Sequence, residues 1–262
     1  MIEPKTAEAV ADDRNFMTSL ARGLTVIRAF SEQTSNLTIA DVAKITGLPR
    51  AAARRCLLTL TQLGYAGTDG RVFFLRPKVL ALGYSFLSSA PLATVLDPVL
   101  SQVSRTLEES SSAAVLDEEE VVYIARVATK RIMSLGLNIG SRLPAYCTSM
   151  GRVLLASLPP EDFEAYLKRV TLKPFTAQTV TAKSEFKSVI EETRAKGYAL
   201  IDQELEIGLR SLAVPVKNPS GVVVAAINVS TQAARVEKDE MIGRFLPVLR
   251  TAADEARLLL VR

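Results

Sequence analysis

Leu20, Leu24, Ile27 and Phe30 recur at spacings of four and three, which predicts a helix near residues 18–31 with one apolar face. Thr38 opens a second helix, and Asp41 three positions later makes a variant capping box. Ile39, Val42, Ala43 and Ile45 supply its apolar residues, and Gly47 stands where a left-handed C-terminal residue is expected. After Gly47-Leu48-Pro49 a third helix is predicted over about 49–64, with Pro49 at its first position. Ala53, Cys56, Leu57, Leu60 and Leu63 share its inner side. The outer side presents Ala51, Arg55, Leu58 and Gln62, with Arg50 and Arg54 flanking. Tyr65-Ala66, a Thr68-Asp69-Gly70 turn and the β-prone run 71–75 then predict a hairpin. Three helices, the third bearing arginines, followed by a hairpin describe a winged helix-turn-helix.

The remainder patterns differently. Residues 77–89 read as a helix apolar around much of its circumference, through Val79, Leu80, Leu82, Tyr84 and Phe86, and they end before Pro91. A longer helix follows at about 92–109. Strand-like runs come at 112–116, 121–127 and 132–137. The acidic cluster Asp117-Glu118-Glu119-Glu120 reads as a hairpin tip, with a metal site as the alternative. Residues 143–158 read as a turn and a helix starting near Ser149, with helical segments near 160–168 and 184–196. Strands are expected at 198–202, 212–216 and 222–229, the last two joined by Asn218-Pro219-Ser220-Gly221. A helix over about 237–260 closes the chain. The expected class is α+β, with a mostly antiparallel sheet flanked by helices in the second part. The expected organisation is a flexible N-terminus at 1–15, the winged helix-turn-helix at 16–76, a linker helix at 77–91 and a larger domain at 92–262.

Composition narrows the chemistry. The 262 residues, 48% hydrophobic and 23% charged, suit a globular chain of about two domains. No apolar run reaches the roughly 18 residues of a membrane span, and the first residues do not resemble a signal peptide, so a cytoplasmic protein is expected. The chain contains no histidine, which excludes Ser–His–Asp and Cys–His catalysis and most zinc sites. Cys56 and Cys147 are 91 positions apart, so neither a disulfide framework nor a CxxC clamp is expected, and Cys56 reads as a small core residue. No metal, no cofactor and no catalytic residue is expected. Charge is uneven: residues 14–80 hold ten Lys/Arg against three Asp/Glu, whereas 81–262 hold 21 of each. A basic block on a winged helix-turn-helix points to a double-stranded DNA operator. Arg50, Arg54 and Arg55 form the expected stripe on the third helix, with Arg71 and Arg76 on or near the wing.

The runs LPRAAARRCLLTLTQLGY, LPAYCTSMGRVLLASLPPEDFEAYL and KGYALIDQELEIGLRSLAVPVKNPSGVVVAAINVS, in that order, resemble an IclR-type transcriptional regulator from about residue 16 onward. Ala-Ala-Ala-Arg-Arg at 51–55 and Tyr-Cys-Thr-Ser-Met-Gly at 146–151 resemble the PcaR/PcaU/PobR branch, which controls aromatic-acid (β-ketoadipate pathway) catabolism. The resemblance implies a GAF-like effector-binding and oligomerisation domain at 92–262, dimers through the N-terminal part and tetramers through the effector domains. It places a ligand pocket at Leu143, Ala145, Ser149, Met150 and Gly151, at Ile201, Asp202 and Ser211, and at Asn228 and Ser230. Arg210 is the nearest charged candidate in those segments. A helix beginning at Ser149 would offer main-chain N–H groups to a carboxylate, while the neighbouring hydroxyl and amide groups are neutral donors. The implied effector is a small carboxylate such as protocatechuate, 4-hydroxybenzoate or β-ketoadipate. Three positions depart from the family: Tyr146 replaces a frequent histidine, Ser211 a common cysteine, and Ala51-Ala52 a commoner Ser-Thr pair. The last change leaves methyl groups at Ala51 and Ala52 that could meet thymine methyls. The alternatives are a regulator of another carbon-source pathway, a constitutive DNA-binding protein, or an enzyme using Asp202, Glu204 and Glu206.

Overall fold

In the computed structural model, residues 15–31, 34–83, 91–129 and 136–260 are described. The chain divides between Phe86 and Leu87 into two compact units.

The first unit contains α1 (Thr18–Arg28), α2 (Ile39–Thr46), α3 (Arg50–Gln62) and a hairpin of β1 (Ala66–Thr68) and β2 (Phe73–Leu75). The capping box closes at the head of α2: the Asp41 N–H donates to Thr38 Oγ1 at 3.2 Å, and the Thr38 N–H to Asp41 Oδ2 at 2.9 Å. Gly47 ends α2 at φ 70°, in the left-handed region. Pro49 precedes α3 as its cap residue, one position outside the helix it was expected to begin. In the wing turn, the N–H groups of Arg71 and Val72 both donate to Asp69 Oδ1 at 2.8 Å. Hydrogen bonds from the Val72 and Arg71 backbone hold that carboxyl below its ordinary range. Val26, Val42, Ala53, Leu57, Leu60 and Phe73 form the core of this unit.

Two inner faces differ from expectation. Leu20 and Leu24 on α1 are 59% and 50% exposed, and Leu63 beyond α3 is 54% exposed; Val26, not these, is the buried residue of α1. These leucines line a groove beside α3 that is open among the described residues. Beyond the wing, Pro77–Val79 is a 3₁₀ turn and residues 80–83 are helical, with Leu80 and Leu82 exposed. Tyr84, Phe86 and the rest of that expected helix to residue 90 lie outside the described residues.

The second unit is built on a six-stranded, wholly antiparallel sheet. Its strands are β3 (Ser110–Asp117), β4 (Glu120–Val127), β5 (Arg142–Pro144), β6 (Ala199–Asp202), β7 (Leu209–Lys217) and β8 (Val223–Gln232), in the order β5-β4-β3-β8-β7-β6. Along β7 the alternation is plain: Leu212, Val214 and Val216 face one side, Ser211 and Ala213 the other. The Leu212 side packs against α4 (Pro91–Leu107) and the last helix, α8 (Leu246–Leu259). Small residues on the other side, Ala114, Ala213 and Ala226, let α5 (Ser149–Ala156) lie close on the sheet. Behind α5 stand α6 (Pro160–Arg169) and α7 (Lys183–Lys196), through Phe163, Tyr166 and Phe186. The fold is α+β, as the pattern predicts.

Of the strand expected at 132–137, residues 132–135 lie outside the described residues and 136–137 are not strand. The closing helix runs from Lys238 to Leu259 as expected, but Met241–Phe245 widen into a π turn before α8, where Pro247 has no N–H to donate. Within the acidic tip, Asp117 and Glu120 close on Arg142 at 2.7 and 2.6 Å, and no metal-holding cluster occurs among the described residues.

Candidate functional site

The N-terminal unit presents its basic groups outward. Arg50, Ala51, Arg54 and Arg55 are exposed on α3, as are Arg71 at the wing turn and Arg76 just after β2. None of these arginines pairs with a described carboxylate, so their charge is available to a phosphate or base edge. Ala52 is a correction: it is only 5% exposed and stands in the wall of the groove beside α1, so its methyl is not offered to DNA with Ala51. At 100° per residue it stands a full step round from Ala51, which is outside.

In the C-terminal unit a cavity lies between the start of α5 and the sheet. Leu143, Ser149, Met150, Ile201, Ser211, Asn228 and Ser230 line it together, from three well-separated stretches of chain. The register explains the meeting: Ile201, Ser211 and Ser230 occupy one cross-strand row of β6, β7 and β8, and Asn228 the next on the same face. Tyr123, Arg126, Leu137, Cys147, Thr148, Leu205 and Leu209 line it as well and were not anticipated.

Ala145 and Gly151 are not in its wall. They touch each other beneath it, so closely that a Cβ on Gly151 would lie 2.1 Å from the Ala145 carbonyl oxygen. The Gly151 N–H is also engaged, donating to Thr148 Oγ1 at 3.2 Å. Asp202 and Arg210 are the second correction. As strand neighbours of Ile201 and Ser211 they point to the opposite face, where Arg210 Nε donates to Asp202 Oδ1 at 2.8 Å. Arg210 also reaches the carbonyls of Ala233 and Val236, and Lys238 Nζ lies 2.9 Å from Asp202 Oδ2. Glu204 does not neutralise Arg210; it forms a buried pair with Arg152 at 2.5 Å, one turn along α5 from the cavity.

The chemistry inside is mostly neutral. Ser149 Oγ and Asn228 Oδ1 are buried without a hydrogen-bond partner, while the Asn228 amide donates to Ser230 Oγ at 3.1 Å. Burial pushes the Cys147 thiol and the Tyr123 phenol each up to about 12, so both stay protonated at neutral pH. Tyr146 holds the backbone of Lys173: its hydroxyl donates to the carbonyl at 2.8 Å and accepts from the N–H at 3.0 Å. As packed, the cavity has about 20 Å³, room for about one water. A benzene-sized guest needs on the order of 150 Å³, which rotation of the half-buried Leu137, Leu143, Leu205 and Leu209 would have to supply.

A basic head shaped for a major groove and a separate sensor cavity together make a ligand-responsive transcriptional regulator. Residues 19–70 match the IclR helix-turn-helix domain, and residues 84–257 match the family described as bacterial transcriptional regulator IclR C-terminal. The chain belongs to the IclR family. It is 50% identical over 250 residues to the Pca regulon regulatory protein of Pseudomonas putida, covering 95% of this chain and 86% of that one. It is 37% identical over 264 residues to the p-hydroxybenzoate hydroxylase transcriptional activator of Acinetobacter baylyi, covering 99% and 97%. A solved transcriptional regulator from Rhodococcus sp. RHA1 superposes with a TM-score of 0.84 at 48% identity, covering 94% of this chain and 99% of the other.

Proposed function

We propose that this regulator controls aromatic-acid catabolism genes in the cytoplasm, and that a small carboxylate held between α5 and the sheet changes its affinity for its operator. Protocatechuate, 4-hydroxybenzoate and β-ketoadipate are the candidate effectors. The observation that carries the reading is the cavity: residues from five strands and α5 converge on a space whose hydroxyl and amide groups are not all satisfied. The names of the relatives, a Pca regulon regulator and a p-hydroxybenzoate hydroxylase activator, support the effector class. DNA is read by Arg50, Ala51, Arg54 and Arg55, with Arg71 and Arg76 gripping phosphates. A two-fold dimer, and a tetramer through the effector domains, is the acting form; the apolar groove beside α1 and α3, open among the described residues, supports the dimer. The role is regulatory and not catalytic: the carboxylates a hydrolytic reading would draw on include Asp202 and Glu204, both spent on ion pairs.

Titration calorimetry with the three acids, alongside operator-binding measurements with and without each, tests this reading. At least one acid should bind and shift operator affinity, since regulation requires unequal binding to the two arrangements. Ser149→Phe should remove both effects and leave basal operator binding unchanged. Undiminished binding in that variant, or no binding of any of the acids to the native protein, would overturn the assignment.

A further inference from the structure

The cavity is chemically lopsided in a way that neither the helix start nor the motifs around residues 143–151 reveal. Of the described residues that line it, Arg126 carries the charge; the others are apolar, hydroxyl, thiol or amide. Its presence there depends on a β-bulge. The pairing of β3 with β4 slips between Ala113 and Ala114, so Ala114 faces Tyr123 while Ala113 faces Ala125. Regular alternation would put Tyr123, Ala125 and Val127 on one side; the extra residue puts Tyr123 and Arg126 there instead.

The row that results is informative. Ser112 pairs with Arg126 on one side and with Asn228 on the other, so the arginine and the asparagine stand two strands apart, about 10 Å between backbones, on one line across the sheet. Ser112, between them, is small and buried. Arg126 is half-buried, and among the described residues it has no ion-pair partner. At the other end, one atom of the Asn228 amide and the Ser149 hydroxyl are buried and unmatched. The other cationic candidate, Arg210, is on the opposite face and neutralised by Asp202. The start of α5 is already partly satisfied, because Thr148 caps Gly151 and its carbonyl accepts from the Arg152 N–H.

We propose that Arg126 is the charge anchor of the effector site, pairing with the carboxylate, while Asn228 and Ser149 hydrogen-bond a hydroxyl or carbonyl at the far end of the same molecule. The site thus selects a small acid carrying a second polar group, and not a simple aromatic acid or a neutral hydroxyarene. The inference rests on the effector-binding reading above and adds the group that recognises the charge. A guanidinium fits this task because it presents paired donors to a carboxylate and stays ionised at any relevant pH.

The test is calorimetry on the full chain with 4-hydroxybenzoate, its neutral amide 4-hydroxybenzamide, and benzoate. The native protein should prefer the acid to the amide by about tenfold or more, as expected for a charge-assisted pair in a shielded site. Arg126→Gln should remove that preference by weakening the acid alone, and Arg126→Lys should restore part of it. Asn228→Ala, with Ser149→Ala as the gentler variant, should reduce the advantage of 4-hydroxybenzoate over benzoate. Because each result is a ratio of ligands on one protein, partial loss of stability does not imitate it. If Arg126→Gln keeps the native acid-to-amide ratio, the anchor is wrong while the effector reading stands. If the native protein binds none of 4-hydroxybenzoate, protocatechuate and β-ketoadipate, both fall. If it binds protocatechuate or β-ketoadipate but not 4-hydroxybenzoate, Arg126→Gln must weaken that binding by about tenfold, and unchanged affinity refutes the anchor.

Discussion

A Cβ added at Gly151 would meet three backbone atoms of Ala145, the nearest at 2.1 Å, and a backbone cannot rotate away as a side chain does. Gly151→Ala should therefore push the 3₁₀ turn Ala145–Cys147 off α5, costing about 1–3 kcal/mol or more, as overpacking does. Because Ser149 and Met150 line the cavity from the same helix turn, effector affinity should fall together with the melting temperature. A variant as stable as the native protein would contradict this close approach. Asp202 gives a prediction in pH. Burial alone would raise its pKa, but hydrogen bonds from Arg210 and Lys238 prevail and hold the carboxyl below its ordinary value. A carboxylate depressed in the folded state stabilises above its unfolded pKa, near 4, and that stabilisation is lost as pH falls through the folded value. Urea denaturation should find Asp202→Asn less stable than the native protein at neutral pH, with the gap closing in acid. A gap that is constant with pH would mean the pair contributes no linked stability.

Among the elements, the proposed DNA contacts divide between α3 and the wing. Arg55 lies mid-helix on the exposed side, where a groove-seated helix would meet base edges, whereas Arg71 follows the wing turn, where the proposed contact is the DNA backbone. Arg55→Ala should cost about 1–3 kcal/mol at the operator if it reads a guanine, with less loss on unrelated DNA. Arg71→Ala should weaken all sequences alike and lower the salt slope by about one. Fluorescence anisotropy at several salt concentrations separates the two patterns. Equal operator affinity for the native protein and an Arg54→Ala/Arg55→Ala variant would remove α3 as the reading element. Much of this element was legible from its residues, because Thr38, Asp41, Gly47, Asp69 and Gly70 each act within four positions. Ala52 was misplaced because a helical face alone does not say how far the α1–α3 contact wraps around it.

For the whole molecule, an open groove of about 610 Å³ beside α1 and α3 exposes Leu20, Leu24 and Leu63 to water. Single exposed leucines are ordinary, but a contiguous apolar groove on a small unit is a mark of association. A single recognition helix also buries too little surface to select a genomic site, which favours two copies on half-sites one helical turn apart. Light scattering at micromolar concentration should give a dimer or tetramer. Leu20→Asp/Leu24→Asp should shift the distribution toward monomer and weaken operator binding. A native protein that is monomeric with and without DNA would refute this assembly.

Several features followed from short-range chemistry and needed no tertiary information: the capped turn of α2, the Asp-Gly wing, the alternating strands and the basic density of residues 14–80. Family motifs likewise located Ser149, Ser211, Asn228 and Ser230 before any of them was seen to share a cavity. What the fold alone settled was which face each residue shows and what covers it. One bulge between Ala113 and Ala114 brings Arg126 into the cavity, and one step along β7 takes Arg210 out of it. Leu24 and Leu57 look alike as apolar helix positions, yet one is open to water and the other sealed. Spacing along a chain encodes the period of an element, whereas register, bulges and the neighbours available for packing arise from residues far apart in sequence, and these decided where the charge of the effector site lies.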